Sequence, residues 1–279
     1  MTSIPGRRHP ATQLPRGHRA GDTAVGTDDV VVERWEKEPL LERIETHLRG
    51  PVNGRPAVAI GSVNLDHFHH FRRGRHELSN DPDRTGVDWV MLADGAPVAY
   101  QAGRVSGRHW PRLTGADLLP ELLATAQRTG STVGFLGGLP QVHESLRGVL
   151  ARDYPSVRAG YWAPERHEID SPTGSTEIAA QIRAEGFDVL AVALGKPRQE
   201  LWIQRYGRLT GAKVLLAFGA SADFLAGKVE RAPEWMQNNG LEWAYRLRQE
   251  PRRLARRYLV EGPPAIARLA SAREVDPPR

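Results

Sequence analysis

From about residue 30 to residue 218, short apolar runs alternate with segments of helical spacing. Residues 189–194, VLAVAL, form one continuous run with β-branched members, the pattern of a strand buried on both faces. Comparable runs at 57–62, 89–93, 132–136, 157–161 and 213–218 predict five more strands. Helical spacing falls between them, at about 65–73, 97–103, 116–128, 141–152, 176–185 and 198–208. Leu40, Leu41, Ile44 and Leu48 predict a helix ahead of the first strand. This alternation predicts an α/β fold: a Rossmann-like, mainly parallel sheet of about six strands with helices on both faces. After Phe218 the chain becomes rich in arginine and tryptophan, and no further strand is predicted. The expected organisation is a disordered tail over 1–28, the α/β domain over 29–229, a helical appendage over 230–272 and a frayed end over 273–279.

In a parallel sheet every strand's carboxyl end lies on one edge, where open α/β sheets bind ligands. The predicted strands deliver to that edge Ser62 and Asn64, Asp94-Gly95, Gly137-Gly138, Tyr161-Trp162, Gly195 with Gln199, and Gly219 with Ser221 and Asp223. Pro197 is expected as the first residue of the helix after 189–194, and the polar Gln199 would then point into the crevice. The first-turn N–H groups suit an anion. An ordinary strand–turn–helix with nothing bound has the same local pattern.

Composition narrows the chemistry. Hydrophobic residues are 40% and charged residues 25% of the 279, an ordinary globular balance. With no cysteine, disulfides, thiol catalysis and Cys-ligated zinc are excluded. No apolar run approaches the ~18 residues of a membrane span, and the first 28 residues contain no signal-peptide core. A net charge of +5 points to an anionic partner: a nucleotide, a phosphorylated substrate, a lipid surface or nucleic acid. Gly137-Gly138-Leu139-Pro140 could bring N–H groups to a diphosphate, but neither GxGxxG nor GxxxxGK[ST] occurs, which disfavours dinucleotide and P-loop enzymes.

Asp94 is the candidate acid or base, although an Asp-Gly pair also marks a plain turn. Tyr161 and Trp162 offer stacking surfaces for a base, or simply core. The run DHFHHF (66–71) places Asp66 and His70 at helical spacing, a weak metal signal without HExxH. Residues 241–260 hold six arginines against two glutamates, with leucine and aromatic residues between them and Pro251 breaking the segment. That composition suits an interfacial helix on anionic lipid, an arginine lid over phosphates, or a solvated basic helix.

Four segments carry a family resemblance: LTGADLLPELL (113–123), FLGG (135–138), ALGKPRQELWI (193–203) and ADFLAGKVERAPEWMQNNGLEWAYRLRQEPRRLARRYL (222–259). They resemble the WecG/TagA/CpsF glycosyltransferases, glycosyltransferase family 26. The resemblance implies an inverting transferase that uses no metal or other cofactor. It would move an N-acetylmannosamine-type or related sugar from a UDP-sugar to a polyprenyl-diphosphate-linked sugar in cell-surface polysaccharide synthesis. It further implies a cytoplasmic protein docked on the anionic inner face of the membrane through its appendage, with no nucleic-acid partner.

Carried over by motif, the resemblance makes Asp94 the base and adds Arg112, ahead of the TGADL motif, and Gln199, from a PKQE motif in which Arg198 stands for lysine. Ser62 and Asn64 stand in a reduced TPN motif, and Gly137, Gly138 and Gly195 are expected near the donor. Tyr161 and Asp223 are placed near the uridine, and Arg246, Arg253 and Arg256 become the appendage's phosphate-binding arginines. A nucleotide-sugar enzyme with a soluble acceptor, or a non-catalytic lipid- or nucleic-acid-binding relative, are the alternatives.

Overall fold

The computed structural model describes residues 23–51 and 54–278, except for the side chains of Asn238 and Arg253. In chain order the strands are β1 (Ala24–Gly26), β2 (Val31–Glu33), β3 (Ala57–Val63), β4 (Val87–Ala93), β5 (Val133–Gly137), β6 (Ala159–Trp162), β7 (Val189–Ala193), β8 (Val214–Ala217) and β9 (Arg273–Val275). Six of them form one sheet in the order β4-β3-β8-β7-β5-β6. Every pairing in that sheet is parallel.

Successive residues of the inner strands feed two separate cores, as period-two geometry requires. Val58, Ile60, Val90, Leu92, Phe135, Ala191 and Leu216 pack on one face. Ala59, Trp89, Met91, Leu136, Leu190, Val192 and Leu215 pack on the other. Burial on both faces is why these strands read as unbroken apolar runs. The first core is covered by Leu40, Ile44 and Leu48 of the helix Lys37–Arg49 and by the leucines of Gly115–Thr129. The second is covered by Ile178, Ala179 and Ile182 of Pro172–Glu185 and by Trp202 and Ile203 of Arg198–Tyr206.

All six predicted strands form. Pro197 precedes the helix Arg198–Tyr206 instead of opening it, after a cis Lys196–Pro197 peptide. The short helices Pro82–Thr85 and Arg166–Asp170 have too few turns to show a helical period.

The chain ends depart from expectation. Residues 1–22 of the expected tail lie outside the described residues, but Ala24–Gly26 pairs antiparallel with both β2 and β9. The strand β9 occupies residues expected to fray and to contain no strand. Three-residue strands show no readable alternation, and β9's partner lies more than 240 residues away in sequence, so only the folded chain creates this sheet. Ala24 and Val25 are buried against the body. Just ahead of β9, Arg268 donates to the carbonyls of Phe68 and Phe71 and to Asp29 Oδ2, the last at 2.9 Å. The segment from 234 to 261 is helical, broken at Pro251 as expected into Glu242–Gln249 and Pro251–Ala255. This helical segment is therefore tethered to the body beyond its C-terminal end by Arg268 and β9.

Candidate active site

The carboxyl ends of the six strands form one rim. Along it, in sheet order, stand Asp94, Asn64, Gly219, Gly195, Gly138 and Trp162 with its neighbours. Asp94 and Gln199 thus share the same edge.

Asp94 follows β4 directly, its N–H bonded to Val63 O at 3.0 Å. Asn64 orients its carboxylate. The Asn64 Oδ1 caps the helix Leu65–His70 by accepting from His67 N, which aims Nδ2 at Asp94 Oδ2, 3.1 Å away. Capping by asparagine is a common local device; here it also fixes an acidic side chain at a cleft. Next to it, Leu113 N donates to Ala93 O at 2.9 Å and brings Arg112 to the same end of β4. Arg112 Nη1 lies 3.3 Å from Glu242 Oε2, which joins this end of the rim to the helix Glu242–Gln249.

At mid-rim, Gln199 does not project into the open crevice as expected; it is 1% exposed. Its Nε2 donates to Ala217 O at 2.8 Å and to Glu200 Oε1 at 3.2 Å, so the amide's orientation is set by two acceptors. Its Oε1 is buried without a protein partner, and a Cβ on Gly219 would come within 3.1 Å of it. Lys196 Nζ donates to the same Glu200 oxygen at 2.7 Å and to Ser62 O at 2.5 Å. Gly195, at φ +75°, has nothing within 4 Å of where a Cβ would sit, so its backbone is open to a ligand.

At the β5–β6 end, Gly137 (φ +88°) approaches β7 so closely that a Cβ would lie 2.6 Å from Ala193 O. Its carbonyl accepts from His143 Nε2 at 2.8 Å. Burial lowers the pKa of His143, and the nearby Arg147 adds to this against the opposing Gly137 carbonyl and Asp223 carboxylate. Tyr161 is sandwiched: it stacks on Phe135 at 5.5 Å, and the Arg147 guanidinium lies 4.1 Å over its ring. Tyr161, Asp223, Gly137 and Gly138 therefore gather around His143. A cavity of about 310 Å³ at the end of β6 is lined by Tyr161, Trp162, Glu168 and Glu177 and by no basic side chain, which does not suit a diphosphate.

The appendage arginines separate. Arg246 lies 5.4 Å over the Phe224 ring, next to Asp223 in sequence. The side chain of Arg253 lies outside the described residues. Arg256 faces solvent: its side chain is 82% exposed and pairs with Glu261 at 3.1 Å. It is Arg257 that turns inward, 3.1 Å from Asp66. The histidine segment is accounted for by packing: His67 stacks on Phe71 at 4.2 Å, His70 lies 3.5 Å from Asp66, and His69 meets Arg75 at 2.8 Å.

Residues 27–276 match the model of the Glycosyl transferase WecG/TagA/CpsF family. The chain belongs to this family. It is a glycosyltransferase, and family membership implies a nucleotide-sugar donor and a glycan acceptor. Within this glycosyltransferase, sequence reasoning missed His143, Arg147, Glu242 and the Lys196–Glu200 pair, whereas helical spacing already set Arg257 on one stripe with Arg246 and Arg253. The Lys196–Glu200 pair had no helical signal, because Lys196 precedes the helix that carries Glu200. Glu242 had none, because its partner Arg112 is 130 residues away.

Proposed function

We propose that the protein is an inverting transferase that moves an N-acetylmannosamine-type or related sugar from a UDP-sugar to a sugar carried on a polyprenyl diphosphate. The observation that carries this reading is Asp94, held by Asn64 at the rim beside Arg112. The Asp94 carboxylate takes the proton of the acceptor hydroxyl. That oxygen bonds to the anomeric carbon from the face opposite the diphosphate, the bond from that carbon to the β-phosphate oxygen breaks, and UDP leaves. The base lies near Tyr161 and Asp223, and the diphosphate runs past Gly137, Gly138 and the open backbone of Gly195. Ser62 and Gln199, buried just beneath this edge, support the backbone against which the sugar or diphosphate rests. Arg112 and Arg246, with Arg253, meet the charge that develops on the leaving group, the role that preorganised cations fill in such transfers.

The lipid acceptor is supported by the surface of the appendage. Trp235, Trp243, Leu259 and Val260 are 61%, 45%, 63% and 64% exposed, among the exposed Arg248, Arg252 and Arg256. Aromatic, aliphatic and arginine side chains together suit the boundary of an anionic bilayer at the cytoplasmic face. Among the described residues no helix is long and apolar enough to cross a membrane.

Asp94→Asn tests the chemistry. Asparagine keeps an oxygen for Asn64 but cannot accept the proton. Turnover of a UDP-sugar with a prenyl-diphosphate-linked acceptor, measured in chelator by mass detection of product, is expected to fall at least ~100-fold. UDP affinity by calorimetry is expected to stay within about threefold. Near-parental turnover in this variant removes Asp94 as the base, and a parent that binds no UDP removes the whole reading.

A further inference from the structure

The least accessible polar group of the rim contacts no open crevice. Lys196 and Glu200 have side-chain exposures of 7% and 0%, and their nitrogen and oxygen are 2.7 Å apart. Burying two charges costs several kcal/mol per ion before their attraction repays it, and apolar residues of similar size often serve stability equally well. A pair kept at that cost is explained by what it holds in place.

The contacts on either side show what that is. Lys196 Nζ reaches across to Ser62 O, in β3, one residue from the end of the strand that leads to Asn64, whose amide donates to Asp94 of the neighbouring β4 loop. Glu200 Oε1 accepts from Lys196 and from Gln199 Nε2 together. The strand β8 lies between β3 and β7 in the sheet, so a bond from the β7 loop to β3 spans a strand. Fixing Nε2 on Glu200 and Ala217 leaves Oε1 as the only free face of the Gln199 amide. His67, buried on the helix that Asn64 caps, lies within the electrostatic reach of the Lys196 ammonium.

We infer that Lys196 and Glu200 are positioning residues for the transfer: a buried bridge that sets the spacing between the Asp94 side of the rim and Gln199, and orients the Gln199 amide. This rests on the proposed transferase reading. The bridge touches no substrate; it acts through Ser62 and Gln199.

The test separates geometry from stability. In Lys196→Met/Glu200→Met both charges are removed at nearly constant volume, so the melting temperature is expected to stay level or rise. Turnover is expected to fall by between about tenfold and a hundredfold, the scale of a small misplacement at a reacting centre. KM for the donor should move less than about threefold. Glu200→Asp is the second variant: it keeps the charge but draws the carboxylate back from Gln199, and kcat should fall while folding is kept. If the double variant fails to fold, Glu200→Asp decides alone. Parental kcat in a folded variant overturns the bridge's role while leaving the transferase intact. A parent chain that transfers no sugar overturns the function and this inference with it.

Discussion

Individual side chains here do two jobs at once. Asn64 ends a strand, caps a helix and orients Asp94, so a substitution there disturbs the acid before it disturbs the fold. His67 is the clearest residue-scale handle on stability. Burial, with Lys196 and His70 adding to it, holds its imidazole well below the usual histidine range. The unfolded chain takes up that proton near pH 6.5 while the folded one does not, so the unfolded state binds more protons below that pH. Stability should therefore fall as the pH drops from 7 to 5. His67 contributes up to about 1.4 kcal/mol per pH unit below its unfolded pKa. Urea unfolding of the parent and His67→Leu at pH 7 and pH 5 checks this: the variant should show the shallower loss, and an equal loss would assign the effect to other histidines.

Elements joined far apart in sequence hold the rim's surroundings. The helix Glu242–Gln249 reaches Arg112 through Glu242. The helix Gly262–Ala270 lies along Leu65–His70, and Arg268 supplies the polar part of that contact by donating to Phe68 O, Phe71 O and Asp29. Carbonyls at the end of a short helix have no partner within it; the guanidinium satisfies them. Arg268→Ala leaves these groups to water and removes a charge-assisted bond, which should lower unfolding free energy by about 1–3 kcal/mol. Denaturant unfolding measures this, and an unchanged midpoint would show that β1–β9 pairing and apolar packing alone hold the C-terminal segment down.

At the scale of the molecule, a parallel sheet gathers polar loop residues on one edge, and a chain of net charge +5 carries exposed arginines and tryptophans on the segment next to it. If that segment seats on lipid, the protein should co-sediment with vesicles containing anionic lipid and detach as salt rises, since each basic residue near the surface contributes about 1 kcal/mol that screening removes. Trp243→Ser/Leu259→Ser should weaken binding without altering UDP affinity; unchanged sedimentation would move the docking face elsewhere. Reading the chain alone was enough for the six sheet strands, because burial on both faces leaves uninterrupted apolar runs, and for the polar loops at their ends, because parallel strands put those ends on one edge. Asp94, Arg112 and Gln199 were singled out by local motifs, and the sheet sets Asp94 and Arg112 at the end of β4. Local patterns could not show that Arg257 meets Asp66, that Gln199 is buried on Glu200, or that Glu242 meets Arg112. Nor could they show that β9 closes onto β1. Each of these depends on contacts between segments distant along the chain, and such contacts exist only once the sheet has set the distances between them.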